Sequence, residues 1–203
     1  MPRLKNANHP AKGSSIKVEP IRDLKSIDRI KNRLRRENKM RELCLFTLGI
    51  NTAYRAGELM SLTVGQVEHL GAGDRLEVFQ SKTRRHRAIT INRPSVAAIA
   101  EWLCEHPAPA PEAPLFISAR GGQALNVSVV NRMVKAWCAA EGLKGNYGSH
   151  TLRKTWGYFQ LRLANAPIPF LMEAYGHATQ RQTLDYLCVE SEEIRALYTS
   201  LEL

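Results

Sequence analysis

His150-Thr151-Leu152-Arg153, then Gly176-His177, then Thr183-Leu184-Asp185-Tyr186: the stretch from His150 to Tyr186 decides how the rest of the chain is read. It places two histidines, an arginine and a phenol within one short span. Tyrosine is a weak nucleophile with an unperturbed pKa near ~10. A tyrosine that does chemistry therefore needs neighbours that stabilise charge and move protons, which histidine and arginine can supply. On a helix, His150 and Arg153 are three positions apart and share a face. An H-x-x-R fragment alone is equally a histidine satisfied near a helix start with an arginine in solvent, so the argument rests on its partners elsewhere.

Those partners lie upstream. Ala53-Tyr54-Arg55-Ala56-Gly57-Glu58-Leu59 follows an apolar helical run, and Ser81-Lys82-Thr83 opens a basic turn between two strand-like segments. In this order the pieces resemble the tyrosine recombinase (phage integrase) family, with its arginine in an R-x-x-E/D-L setting, a lysine on a β-hairpin, H-x-L-R, G-H and a tyrosine shortly after. The resemblance covers about residues 24 to 190. It implies a mainly α fold with a small antiparallel β-sheet, and a catalytic set of Arg55, Lys82, His150, Arg153, His177 and Tyr186. Lys82 is chosen over the neighbouring basic residues by family position. Glu58, one helical turn after Arg55, could orient Arg55 or the catalytic histidine from behind. It could equally be a surface i,i+3 pair worth only ~0.2–0.5 kcal/mol. One departure is Lys154, where a histidine often follows the arginine.

The chemistry implied is phosphoryl transfer with no metal, ATP or other cofactor. Tyr186 would attack a DNA phosphodiester, forming a 3′-phosphotyrosyl link and releasing a 5′ hydroxyl. Arg55 and Arg153 would neutralise the non-bridging oxygens, the histidines would add hydrogen bonds and proton transfer, and Lys82 would serve as general acid. The residues themselves offer little for metal chemistry, since aspartate occurs only at 23, 28, 74 and 185. No P-loop, H-E-x-x-H or G-x-S-x-G motif is present.

The chain has 203 residues, 44% of them hydrophobic, enough for a substantial core. Lys and Arg number 29 against 19 Asp and Glu, a formal charge of +10 that favours a polyanionic partner such as nucleic acid. No apolar run approaches the ~18 residues of a membrane span, and there is no apolar leader. Cys44, Cys104, Cys138 and Cys188 stand singly with no CxxC pair, which favours reduced thiols in a cytoplasm. The expected setting is a bacterial or phage-encoded protein in the cytoplasm, associated with the nucleoid.

Residues 1–22 mix Pro, Asn, Gly, Ser and Lys without apolar periodicity and read as a mobile basic tail. Residues 23–203 read as the catalytic domain, with no separate N-terminal DNA-clamping domain, similar in size to the fimbrial phase-variation recombinases. From Ser26, Ile27, Ile30 and Leu34 recur at helical spacing, and Arg29, Arg33 and Arg36 between them are candidate phosphate contacts. A second helix through Leu43, Leu45, Phe46, Leu48 and Ile50 is core. Arg75 to Gln80 and Arg87 to Ile91 alternate as strands, joined by a turn from Ser81 to His86. Arg84, Arg85 and Arg87 crowd that hairpin as candidate DNA contacts. Pro94 opens a helix with Val96, Ile99, Ala100 and Leu103 inward, and His106 to Pro114 is a connector within one domain. Leu115-Phe116-Ile117 reads as a short strand. Asn126 is an N-cap for a helix carrying Val130, Met133, Val134 and Trp137, with Arg132 and Lys135 as further candidate backbone contacts. A glycine-rich loop from Gly142 to Gly148 delivers His150 ahead of a helix from Thr151. Ser191 to Leu203 reads as a closing helix that packs on its own domain or on a neighbouring subunit.

The function this reading favours is a site-specific DNA recombinase acting on double-stranded DNA. Paired strand exchange implies four protomers on two sites, with the basic tail, oligomer contacts or an accessory DNA-bending protein as possible aids to synapsis. Two alternatives stay open: a non-catalytic DNA-binding protein that keeps the fold, and a type IB topoisomerase-like enzyme. The intact catalytic set argues against the first, because a pure binder has no need of the phenol.

Overall fold

The computed structural model describes residues 17–80, 85–119, 121–189 and 200. Lys82, Arg84 and the closing segment around Ile194 and Leu197 lie outside the described residues, as does the tail before Lys17. Among the described residues, eight helices and one two-stranded sheet follow in the order α1 (Leu24–Arg36), α2 (Met40–Asn51), α3 (Ala56–Met60), β1 (Arg75–Gln80), β2 (Arg85–Thr90), α4 (Arg93–Leu103), α5 (Val127–Ala140), α6 (Ser149–Arg162), α7 (Ile168–Tyr175) and α8 (Gln180–Leu187). The mainly helical fold with a small antiparallel sheet is the one expected.

α1 begins where the Asp23 carboxylate accepts the backbone N–H groups of Lys25 and Ser26 at 3.1 and 2.9 Å, satisfying donors that a helix start leaves free. It buries Ile27, Ile30 and Leu34, the face its spacing dictates. α2 is buried almost all round, as its unbroken apolar run requires, and packs against α1, α4 and α6. The approach to α6 is close: a Cβ on Gly49 would lie 2.5 Å from Leu152 Cδ1. Glycine at 49 is what lets the helix bearing His150 and Arg153 sit directly on the central helix.

The sheet pairs Arg75 with Thr90 and Gln80 with Arg85. The second strand thus starts at Arg85 rather than Arg87, and the turn is shorter than expected, because Phe79 and Gln80 still have partners in His86 and Arg85. Leu76 and Val78 are buried, and their partners Ile89 and Arg87 share that inward face. α4 turns Ser95, Ala98, Ile99 and Trp102 inward, so its buried face is rotated relative to the expected one and Ala100 is exposed. Trp102 sets this orientation by donating its indole N–H to Leu115 O at 2.7 Å. Leu115-Phe116-Ile117 is buried but makes only an isolated bridge, Ile117 to Ala124, in place of a strand.

Residues 17–22, expected as part of a mobile tail, are pinned to α6 and to the loop before it. Glu19 N donates to Asn146 O at 2.8 Å, Thr151 Oγ1 donates to Glu19 O at 2.8 Å, and Ile21 N donates to Thr155 Oγ1 at 2.8 Å. Ile21 is 1% exposed. One buried isoleucine and three backbone bonds outweigh the polar composition that suggested mobility.

A second, smaller apolar cluster of Ala53, Leu171, Tyr175 and Leu187 lies under α7 and α8, with Trp156 and Tyr186 against it. It seats the two short helices that carry the end of the motif set.

Candidate active site

α3 presents the first arginine. Arg55 is the N-cap of α3; its backbone N–H donates to Glu58 Oε2 at 2.7 Å and its guanidinium to Glu58 Oε1 at 2.9 Å. Glu58 is 7% exposed, and it accepts a second guanidinium, Arg87 Nη1, at 3.0 Å. Arg87 also donates to Ala174 O at the end of α7 and lies over the Tyr54 ring. Glu58 is therefore no surface pair. One buried carboxylate ties α3 to β2, and Arg87 carries the tie on to the turn that holds His177. Arg87, a candidate DNA contact from its place in a basic run, spends its donors inside the protein.

α6 carries His150 and Arg153 on one face. The helix begins at Ser149, two residues before the expected start, because Asn131 Oδ1 accepts the Ser149 N–H at 3.0 Å and the Thr151 hydroxyl accepts the Gly148 N–H at 3.0 Å. His150 thus belongs to the first turn. Arg153 is 2% exposed. Its Nη2 donates to Tyr175 O at 2.6 Å, while its Nε and Nη1 are buried with no hydrogen-bond partner. Burial, the largest influence, holds its pKa down to about 10. A guanidinium kept out of water with two idle donors is arranged for an anion.

α7 ends at Gly176, whose φ of 64° is the left-handed conformation that closes a helix and favours glycine. His177 N donates back to Met172 O at 3.0 Å, and its Nδ1 bonds the Thr183 hydroxyl at 3.0 Å. The His177 ring stacks on Tyr175 with centroids 5.0 Å apart. Burial, then the field of Arg153, Arg55 and Arg87, pushes its pKa down to about 4, so the ring is neutral at pH 7.

α8 delivers Tyr186 among these groups. Its hydroxyl is 3.2 Å from His150 Nδ1, and its ring meets those of Tyr175 at 5.0 Å and His177 at 5.2 Å. The Arg153 guanidinium carbon is 5.8 Å from its ring centroid. Burial pushes the phenol up to about 12, opposed by Arg153, Arg55 and Arg87. His150 is lowered by partial burial and by Arg153, Lys154 and Arg55, which leaves it neutral and able to accept a proton.

The structure thus brings together Arg55, Glu58, His150, Arg153, His177 and Tyr186 from four separate stretches of chain. Two guanidiniums, Arg55 and Arg87, meet one carboxylate and a third, Arg153, has none, which leaves a surplus of positive charge around a half-buried phenol. The candidate DNA contacts fare differently. Arg29 and Arg33 bind Glu141 at 3.0 and 2.8 Å, joining α1 to the end of α5. Arg36 and Arg132 are exposed and Lys135 is half-buried. Arg85 opens β2, but its side chain lies outside the described residues.

This constellation on a mainly helical scaffold defines a class. A profile described as the phage integrase family matches residues 23–193, and the chain belongs to that family, the tyrosine recombinases. It is 32% identical over 183 residues to a probable integrase/recombinase, YoeC, of Bacillus subtilis (strain 168), covering 89% of this chain and 95% of that one. It is 28% identical over 160 residues to tyrosine recombinase XerC of Nitrobacter winogradskyi, covering 78% of this chain and 49% of that one. The chain spans about half the length of the XerC relatives it matches. Among solved structures, XerA recombinase superimposes with a TM-score of 0.72 at 21% identity, over 98% of this chain and 68% of that one. XerH site-specific recombinase, in a post-cleavage complex with its palindromic difH substrate, gives 0.73 at 18% identity, over 92% and 54%. Their likeness establishes the fold.

Proposed function

We propose that this chain is a site-specific DNA recombinase in which Tyr186 cleaves a phosphodiester through a covalent 3′-phosphotyrosyl intermediate. The observation that carries this reading is the His150 Nδ1 to Tyr186 hydroxyl contact of 3.2 Å beside an Arg153 with two idle buried donors. A nucleophile, its proton acceptor and an anion site meet there. A phosphate entering against Arg55 and Arg153 satisfies the idle donors and lowers the cost of gathering three guanidiniums. The Tyr186 proton passes to His150 as the oxygen–phosphorus bond forms. His177, neutral and braced by Thr183, donates a hydrogen bond to a non-bridging oxygen. Lys82 protonates the departing 5′ oxygen. Because the bond energy stays in the phosphotyrosyl link, a second 5′ hydroxyl can reverse the attack without ATP.

The partner is double-stranded DNA, the partner of the XerH, lambda integrase and transposon integrase structures whose fold this chain shares. Two sites exchanged in pairs call for four copies of the chain, with an accessory DNA-bending protein as a further aid. The setting proposed is the cytoplasm, beside the nucleoid; no helix among the described residues is long and apolar enough to cross a membrane.

The test is covalent trapping on nicked duplexes cut from the DNA flanking the gene, comparing the native protein with Tyr186→Phe. The expected result is a protein–DNA adduct that the substitution abolishes. Retarded complexes with no adduct on any flanking fragment would favour a non-catalytic binder, and an adduct that persists in Tyr186→Phe would sink the assignment of the nucleophile.

A further inference from the structure

Lys154 is where the sequence departs from the common pattern of its family, and the structure buries it. The residue is 5% exposed, on the side of α6 that meets α8. Its ammonium lies 3.3 Å from Cys188 Sγ and 4.8 Å from the centroid of the Tyr186 ring. Both are weak partners: a thiol sulfur accepts poorly, and a ring face offers only its quadrupole. Ammonium groups taken out of water ordinarily find a carboxylate or several carbonyls. This one is left with a phenol that becomes a full counter-ion once it loses its proton.

The position on α8 strengthens the case. The helix stops at Leu187, and Cys188 caps it in the left-handed region with φ of 56°. A cation at that end faces the negative pole of the helix, so Lys154 also holds in place the turn that carries Tyr186.

Resting on the assignment of Tyr186 as nucleophile, we propose that Lys154 is a positioning residue for it: from α6 it holds the C-terminal end of α8 and sets positive charge against the ring, so that the phenol gives up its proton more readily. In that step the phenolic O–H bond breaks and its proton goes to His150 Nδ1. The oxygen's electron pair forms the bond to phosphorus, and the 5′ oxygen departs with the pair of the broken P–O bond to be protonated by Lys82. The other groups facing the phenol are His150 and Arg153 on α6, His177 in the α7–α8 turn, and Arg55 and Arg87 across the site. Tyr175 of α7 meets it edge-on, and Lys17, ion-paired to Asp185 at 4.0 Å, lines the cleft together with Arg181 on the same side as Lys154. Among the described residues Lys154 sits against the ring with neither a carboxylate nor a carbonyl partner.

A fluorinated tyrosine placed at position 186 brings the phenol's titration into the neutral range and gives a ¹⁹F signal that reports it without DNA. The expected result is that Lys154→Met raises the midpoint by about one pH unit, a tenfold loss of phenolate at fixed pH, and that Lys154→Arg restores it. Lys154→Gln is the second variant, since a carboxamide keeps most of the side chain's length and can still reach Cys188 while removing the charge. It too should raise the midpoint, and it carries the test if Lys154→Met does not fold. An unchanged midpoint in either folded variant overturns the proposal. Failure of the nucleophile assignment is read separately, by an adduct that survives Tyr186→Phe in the trapping assay.

Discussion

Arg153 and Tyr175 are bound to each other twice: Arg153 Nη2 donates to the Tyr175 carbonyl at 2.6 Å, and the Tyr175 hydroxyl donates back to the Arg153 carbonyl at 3.0 Å. The guanidinium carbon also lies 4.8 Å from the Tyr175 ring centroid. This reciprocal clamp fixes Arg153 to the helix that ends before Gly176-His177. Arg153→Lys keeps the charge but loses the planar fork and the cation's fixed direction. Covalent adduct formation should fall by about 10²-fold, as for loss of an oxyanion donor, with little change in retarded DNA complexes. Single-turnover trapping beside a binding titration measures both.

Gly157 makes the clamp possible, because a Cβ there would collide with the Tyr175 hydroxyl and lie 2.7 Å from Leu187 Cδ2. Gly157→Ala should cost about 1–3 kcal/mol through overpacking and displace α8. Urea unfolding should report the loss, and adduct formation should drop further than the fraction unfolded explains.

Glu58 holds two arginines, one of them, Arg87, with its side chain only 13% exposed. Removing one partner of a buried ion pair leaves the other charge uncompensated, so Glu58→Gln should destabilise the protein by roughly 3 kcal/mol. The midpoint of urea unfolding should shift down while the slope stays constant.

Acid should weaken the fold through His177. Its folded pKa of about 4 lies below the ordinary value of 6.5, so between those values the unfolded chain binds more protons. Stability is therefore full above the upper value and lost as pH falls toward the lower one; His150 shifts in the same direction. Melting temperatures measured from pH 7 down to pH 4 should decline, and less steeply in His177→Gln.

The meeting of Arg55, His150, Arg153, His177 and Tyr186 was legible because each stands in a short local motif, and helical spacing alone put His150 and Arg153 on one face. Likewise Ile27, Ile30 and Leu34 announced the buried side of α1. What stayed hidden depends on partners distant in the chain. Nothing near Arg29 or Arg33 foretells Glu141, and the polar composition around Glu19 gives no hint of Thr151 and Thr155. The role of Arg87 had a signal: strand alternation sets it on the same side as Ile89, opposite Val78, and so inward, although the surrounding basic run suggested a solvated face. Burial of Lys154 could not be read from α6, since five consecutive residues from Thr151 to Thr155 are buried there and no periodicity survives.

The segment from Glu19 to Ile21 has a mechanical meaning. Its backbone grips Thr151 and Thr155, which flank Arg153 and begin one residue after His150. A pull on Lys17 is therefore passed through Glu19 and Ile21 to the helix that carries His150 and Arg153.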